Sequence, residues 1–348
     1  MQKEDFIPLI EITRGKLVES LHCGIFVVVA RDGDIIASGG NPSLKVFLRS
    51  ASKPLQAIPL IEKGGLEHFG FTCQELALMC ASHSGTDEHV RVLEGILKKI
   101  GVSDSALLCG SSPPLDKAFS RKMIALGEQF TSKNNNCSGK HAGMIALARL
   151  LNEPIDDYIH PDHPVQKMIL QTFAEMVELP VEDIEIGIDG CSAPVFAVPM
   201  TNAARAYARL CDPSVLSSQR AAACRKITEA MLKHPEVVAG TTRFDTHLMK
   251  TAGGKILTKG GAEGYQAVGI MPGVITPQSP AVGICLKIAD GDIGRRARNT
   301  ATVEILKQLG ALTQIEANAL KDSHTRPVLN WAKLEVGEIR PNFTLNRR

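Results

Sequence analysis

The chain has 348 residues, 44% of them hydrophobic, with a net charge of +2 and no long basic or acidic run. That is enough apolar material for a large core, and it argues against nucleic acid or an anionic membrane as the main partner. The opening MQKEDFIPLIEITRG has no signal-like apolar core, no apolar run approaches membrane-spanning length, and the nine cysteines are scattered. The expectation is therefore a soluble, cytoplasmic protein with free thiols.

Residues 6–12, 17–22, 24–30 and 34–38 predict strands, and Arg31-Asp32-Gly33 is a hairpin turn signal between the last two. The apolar run 55–61 predicts a helix. Thr72-Cys73-Gln74-Glu75 is a capping box before another, at 76–81. A third starts at Thr86, carries Val90, Leu93, Leu97 and Ile100 on one face, and stops at Gly101. Further helices are predicted at 140–151, 164–177, 202–210 and 213–232, with Pro164 and Pro213 at tolerated starting positions. Strands return at 264–270 and 281–288, the latter alternating Val282, Ile284, Leu286, Ile288, and a helix follows at 295–309. The expected fold is mixed α/β (α+β). An antiparallel sheet is built from residues 1–70 and 235–348, and a mainly helical part, 71–234, is inserted in it. The whole forms one intertwined unit with the active site in the cleft.

The chemistry centres on 49-RSASKP-54. Pro54 suits a first helical turn, and Ser50 or Ser52 is a candidate cap. Ser50 and Lys53, three residues apart, share a helix face, and a serine paired with a neutral lysine is a way of making a nucleophile. In 81-ASHSG-85, two hydroxyls and a histidine separate two helices; Ser82 and Ser84 are both candidates to bind substrate or relay protons. In 258-TKGGAEG-264, Lys259 adds a second cation beside glycines that let a ligand approach the backbone. Cys137, Lys140, His141 and Cys191 lie in loop-like stretches, and two thiolates with an imidazole are plausible zinc ligands. Asp189, Arg243 and Asp245 are candidates to hold an amino-acid ammonium and carboxylate, with Arg49 as a further substrate contact.

Taken in order, 49-RSASKPLQ-56, 81-ASHSG-85, 136-NCSGKHAG-143, 189-DGCSAPVF-196, 240-GTTRFDT-246 and 259-KGGAEG-264 resemble the asparaginase II family of the rhizobial type, over about residues 9–340. The resemblance implies a fold like serine β-lactamases and penicillin-binding proteins, and hydrolysis of L-asparagine to L-aspartate and ammonia. It implies two Ser–Lys pairs, Ser50 with Lys53 and Ser82 with Lys259. It implies supportive zinc held by Cys137, Lys140 and Cys191, substrate ammonium bound by Asp189, and a homodimer. The Ser-Asp-Asn motif of β-lactamases has no counterpart here, and Lys-Gly-Gly stands where they carry Lys-Thr-Gly. Three rival functions remain: action on glutamine, whose extra methylene is worth only about 1–3 kcal/mol in a pocket, another serine amidohydrolase activity, and a non-catalytic, zinc-stabilised amino-acid-binding protein.

Overall fold

The alternation at 282–288 becomes a strand in which every residue is buried, because both faces of the sheet are covered at that point. The computed structural model describes residues 2–347. Its strands are β1 (Ile7–Arg14), β2 (Leu17–Ala30), β3 (Ile35–Gly39), β4 (Lys45–Phe47), β5 (Glu185–Ile188), β6 (Pro194–Pro199), β7 (Ile256–Gly260), β8 (Tyr265–Ile270), β9 (Val282–Ile288), β10 (Arg326–Leu329) and β11 (Glu335–Pro341). Its helices begin with α1 (Lys53–Gln56), α2 (Ile58–Glu62), α3 (Gly65–Phe69), α4 (Cys73–Met79), α5 (Asp87–Ile100), α6 (Lys117–Ala125) and α7 (Ser138–Leu150). They continue with α8 (Pro164–Val177), α9 (Met200–Cys211), α10 (Ser218–Lys233), α11 (Pro235–Val238), α12 (Phe244–Thr251), α13 (Arg298–Gln308) and α14 (Gln314–Ala319).

By contact the chain divides into two units. The sheet unit holds the residues up to Ala51, Val198–Asp212, and those from His247 onward; the helical unit holds Ser52–Ala197 and Pro213–Thr246. The chain thus first changes unit at Ser52, and α9 returns to the sheet unit from the middle of the sequence.

The sheet unit contains one eight-stranded sheet in the order β10-β11-β1-β2-β9-β8-β7, with β3 also paired to β2. The pairs β10–β11, β11–β1, β1–β2, β2–β3, β2–β9, β9–β8 and β8–β7 are all antiparallel. The two strands expected at 17–22 and 24–30 are one 14-residue strand, because its first part pairs with β1 and its second with β3 and β9. Both α9 and α13 pack on the sheet. The seat of α9 is close: a Cβ at Gly283 would lie 1.7 Å from Ala204 O, so glycine is required there for the helix to approach.

In the helical unit the capping box forms as read: Thr72 accepts from Glu75 N, and the Glu75 carboxylate accepts from Thr72 N at 2.6 Å. Gly101, with φ 67°, closes α5. The proline at 213 opens a short 3-10 turn, and α10 starts later, capped by Ser217. Helix α4 packs against α5, α7 and α10. Gly139 lets α7 meet α4, since a Cβ there would lie 2.2 Å from Leu78 O. A half-buried ion pair joins Arg220 Nε to Glu62 Oε1 at 2.5 Å, with Glu175 at 2.7 Å from Nη1.

Candidate active site

In the helical unit, Lys53 opens α1 with Pro54 behind it, where the missing proline N–H breaks no helical bond. Its side chain is 1% exposed. Its Nζ donates to Ala81 O at 2.6 Å, to Ser82 Oγ at 3.1 Å and to Asn136 O at 3.1 Å. These three acceptors are uncharged, and the Cys137 sulfur also lies within bonding reach of the amine. Ser82 follows α4 in an extended stretch that is anchored at both ends. Ser82 N donates to Val238 O at 2.9 Å and Ser84 Oγ to Ala239 O at 2.7 Å. Gly240, at φ 134°, permits this approach; a Cβ there would lie 2.2 Å from Ser84 Oγ.

A second group forms around the start of α7. Cys137 sits at the N-cap, its N–H bonded to Asn135 Oδ1 at 2.9 Å. Cys191 comes from the hairpin turn that joins β5 to β6, where Asp189 N donates to Ala193 O and Ser192 takes a left-handed φ of 69°. Lys140 Nζ donates to Cys191 Sγ at 3.1 Å. The two sulfurs lie within hydrogen-bond reach of each other. Their mutual hydrogen bond holds Cys137 well below the usual thiol range, against its burial and with the help of Lys53 and Lys140, and the same bond and burial raise Cys191. Burial is the largest influence on Lys140 and opposes its charge. The sulfurs of Cys191 and Cys137 and the Asp189 carboxylate outweigh it and raise the lysine. The contrast is Cys109, which burial pushes up to about 12, so its thiol stays protonated. Lys53 and Lys140 both line one small internal cavity of about 10 Å³, with Gln56 and Met144.

His141 commits Nδ1 to Tyr158 Oη at 2.6 Å, and its buried Nε2 has no hydrogen-bond partner. Arg243 is half-buried beside the Gly240 turn, its N–H bonded to Gly240 O at 3.1 Å. Asp245 is buried.

The sheet unit carries the other candidates. Arg49 takes a left-handed φ of 51° at the start of a 3-10 turn, and Ser50, next to it, is half-buried. Tyr207 Oη, from α9, donates to Ala51 O at 2.7 Å and steadies that turn. Lys259 lies on β7, 1% exposed, with Nζ donating to Gly260 O at 3.0 Å. The glycine loop after it runs against the chain before Ser50: a Cβ on Gly261 would lie 2.6 Å from Leu48 O. Arg298 Nη1 donates to Gly261 O at 3.1 Å and Lys287 Nζ to Glu263 O, so the loop is pinned by two cations.

The structure therefore brings Lys53 together with Ser82, and Cys137 with Lys140 and Cys191. It places Arg49, Ser50 and Lys259 in the sheet unit. His83 and Ser138, which lie inside the quoted motifs but have no assigned role in them, bond to each other. The only sequence cue for the first is a histidine between two serines straight after an apolar run.

Among known families, the profile for L-asparaginase II matches residues 10–341. The chain belongs to the L-asparaginase II family. A comparison with curated proteins finds no match. Every candidate named above falls within the matched residues of this L-asparaginase II chain. Among the described residues, no group of three or more His, Cys, Asp or Glu stands together as a metal-binding set. No helix among the described residues is long and apolar enough to cross a membrane.

Proposed function

We propose that this member of the family hydrolyses L-asparagine to L-aspartate and ammonia by serine nucleophilic catalysis with lysine as the base, on a fold of the serine β-lactamase and penicillin-binding-protein class. The observation that carries the reading is the buried Lys53 amine, donating to Ser82 Oγ at 3.1 Å and to no carboxylate among its hydrogen bonds. Lys53 in its neutral form takes the hydroxyl proton of Ser50, one turn away along the chain, as Ser50 Oγ attacks the amide carbon. Backbone N–H groups of the turn at 49–52 stabilise the oxyanion. The leaving ammonia is protonated through Ser82, the hydroxyl that already touches Lys53, with Lys259 as its partner. Water then releases aspartate. Asp189 and Arg243 bind the substrate's ammonium and carboxylate, with Arg49 beside Ser50 as a further contact.

A second assignment of the serines is favoured by the same contact: Ser82 as the attacking hydroxyl and Ser50 as the relay. Trapping the acyl-enzyme separates the two. On the first reading Ser50→Ala forms no acyl-enzyme and releases no ammonia, while Ser82→Ala still acylates slowly; the reverse pattern exchanges the roles. Full ammonia release by both variants would refute the mechanism. Glutamine is assayed in parallel, since one methylene gives little discrimination.

The donor set fits zinc: two sulfurs, one of them already favoured as thiolate, and a buried amine suit a soft divalent ion. Cys137, Lys140 and Cys191 would hold it. When bound it would neutralise the thiolate charge and tie the 189–194 turn to the start of α7. Lys140 would have to lose its proton to bind, so occupancy falls as pH falls. We also propose that the protein is a cytoplasmic homodimer, with the small-molecule substrate as its only other partner.

A further inference from the structure

His83, directly after Ser82, is fully buried and bonded at both ring nitrogens. Gly85 N–H donates to its Nδ1 at 3.1 Å, so Nδ1 carries no proton. Nε2 therefore carries it and donates to Ser138 Oγ at 2.9 Å, and the Ser138 hydroxyl donates onward to Lys133 O at 3.3 Å. His89 stacks on the ring, with centroids 5.1 Å apart and planes 17° from parallel. It too has a set tautomer: Nε2 donates to Glu236 O at 3.1 Å and Nδ1 accepts from Thr86 Oγ1 at 2.6 Å. Burial first, then the nearby His89 and Lys53, push His83 well below the usual imidazole range. A ring kept neutral with both nitrogens committed does not carry protons; it holds position.

What it holds is visible in the bonds around Lys53. The amine spans two segments, Ser82 Oγ on one side and Asn136 O on the other. One residue along from Ser82 is His83, and two residues along from Asn136 is Ser138. The His83–Ser138 bond closes this into a ring of chain and hydrogen bonds of which Lys53 Nζ is a member. We propose that His83 is a positioning residue: acting through Ser138, it fixes the separation of the 81–85 segment from the start of α7, and so sets Ser82 Oγ against Lys53. The catalytic meaning of this strut rests on the Ser–Lys reading above, but its geometry does not depend on the substrate.

The test uses His83→Leu, His83→Gln, Ser138→Ala and the double variant His83→Leu/Ser138→Ala in the full chain. Glutamine keeps an N–H near the place of Nε2; leucine keeps volume and loses the bond. A misplacement of about 1 Å at a catalytic pair costs on the order of 100-fold in rate. The expected result is a kcat for asparagine lowered about 10- to 100-fold in His83→Leu with KM little changed, largely restored in His83→Gln, and no further loss in the double variant because both changes cut one bond. Losses that multiply in the double variant, or a glutamine variant as slow as leucine, would overturn the strut. Zinc content, measured alongside, controls for damage at neighbouring Cys137. Crystal structures of the variants keep the two readings apart. If the parent releases no ammonia from asparagine or glutamine, the hydrolase reading falls. The strut is then judged by the Lys53–Ser82 contact alone, 3.1 Å in the parent. Opening beyond hydrogen-bond reach in His83→Leu and Ser138→Ala but not in His83→Gln supports it, and an unchanged contact in all three refutes it.

Discussion

In the sheet unit, Arg31 meets Asp212 at 2.6 Å and His324 meets Glu304 at 2.7 Å, so these basic groups are answered by carboxylates. In the helical unit the deeply buried Lys53 is answered by two carbonyls and a hydroxyl, Lys140 by a sulfur, and His83 by a hydroxyl. Where the helical unit does use carboxylates, as at Arg220 with Glu62 and Glu175, the pair joins helices. The difference is one of consequence. An amine bonded to carbonyls and a hydroxyl beside a titratable thiol has neighbours that can themselves exchange a proton, whereas one paired with a carboxylate is held charged. The first arrangement permits proton transfer; the second supports structure.

The sharpest break in this contrast is Lys53→Met. It should lower ammonia release by about 10³-fold or more, within the range for loss of a general base, with a moderate fall in melting temperature, because Ala81 O, Ser82 Oγ and Asn136 O lose their donor and the Cys137 sulfur a nearby cation. A large fall in melting temperature would place Lys53 with the structural cations. The cysteine–lysine cluster proposed to hold zinc comes next. Cys191→Ser should lose about 10- to 100-fold or more in zinc affinity, read by metal analysis after dialysis against a weak chelator; unchanged zinc content would remove Cys191 from the ligand set.

Two close approaches by glycine test the units against each other. Gly283→Ala drives a Cβ into Ala204 O at 1.7 Å and should lower stability by about 1–3 kcal/mol, with kcat nearly unchanged in the folded fraction. Gly240→Ala drives one into Ser84 Oγ at 2.2 Å and should lower kcat as well, because Ser84 anchors the Ser82 segment. Denaturant unfolding with kinetics on the same samples distinguishes them. The smallest effect is acid sensitivity at Glu304. Burial, its largest influence, raises it, but hydrogen bonds from His324 and Gln308 outweigh burial and leave it below the usual glutamate range. Its stabilisation is therefore present above that range and lost as pH falls through it. Glu304→Gln should flatten the melting temperature between about pH 5 and pH 3 by a few degrees at most.

Locally encoded features are legible in the sequence. The 72–75 capping box, the Gly101 stop, the 31–33 turn and the alternation at 282–288 all depend on neighbours within a few residues. Strands β5, β7, β10 and β11 are not, since they are short or mixed in polarity; β5, β7 and β10 pair only with the next strand along, and β11 also with the distant β1. The site divides the same way. Helical spacing points Lys53 toward Ser50, three residues off, yet its three hydrogen bonds go to residues 28, 29 and 83 positions along. The chemistry of Lys53 is readable from its motif; the set of groups that surround it is decided by packing. His83 is hidden for the same reason, because its bond to Ser138 spans 55 residues.

Arg49 holds a left-handed backbone that glycine would adopt more readily, by about 1–2 kcal/mol. A screen for heat tolerance alone would therefore drift toward glycine at this position and discard the guanidinium next to Ser50. On the proposed substrate contact of Arg49, engineering for durability and engineering for turnover pull in opposite directions at that residue, and libraries should leave it unvaried.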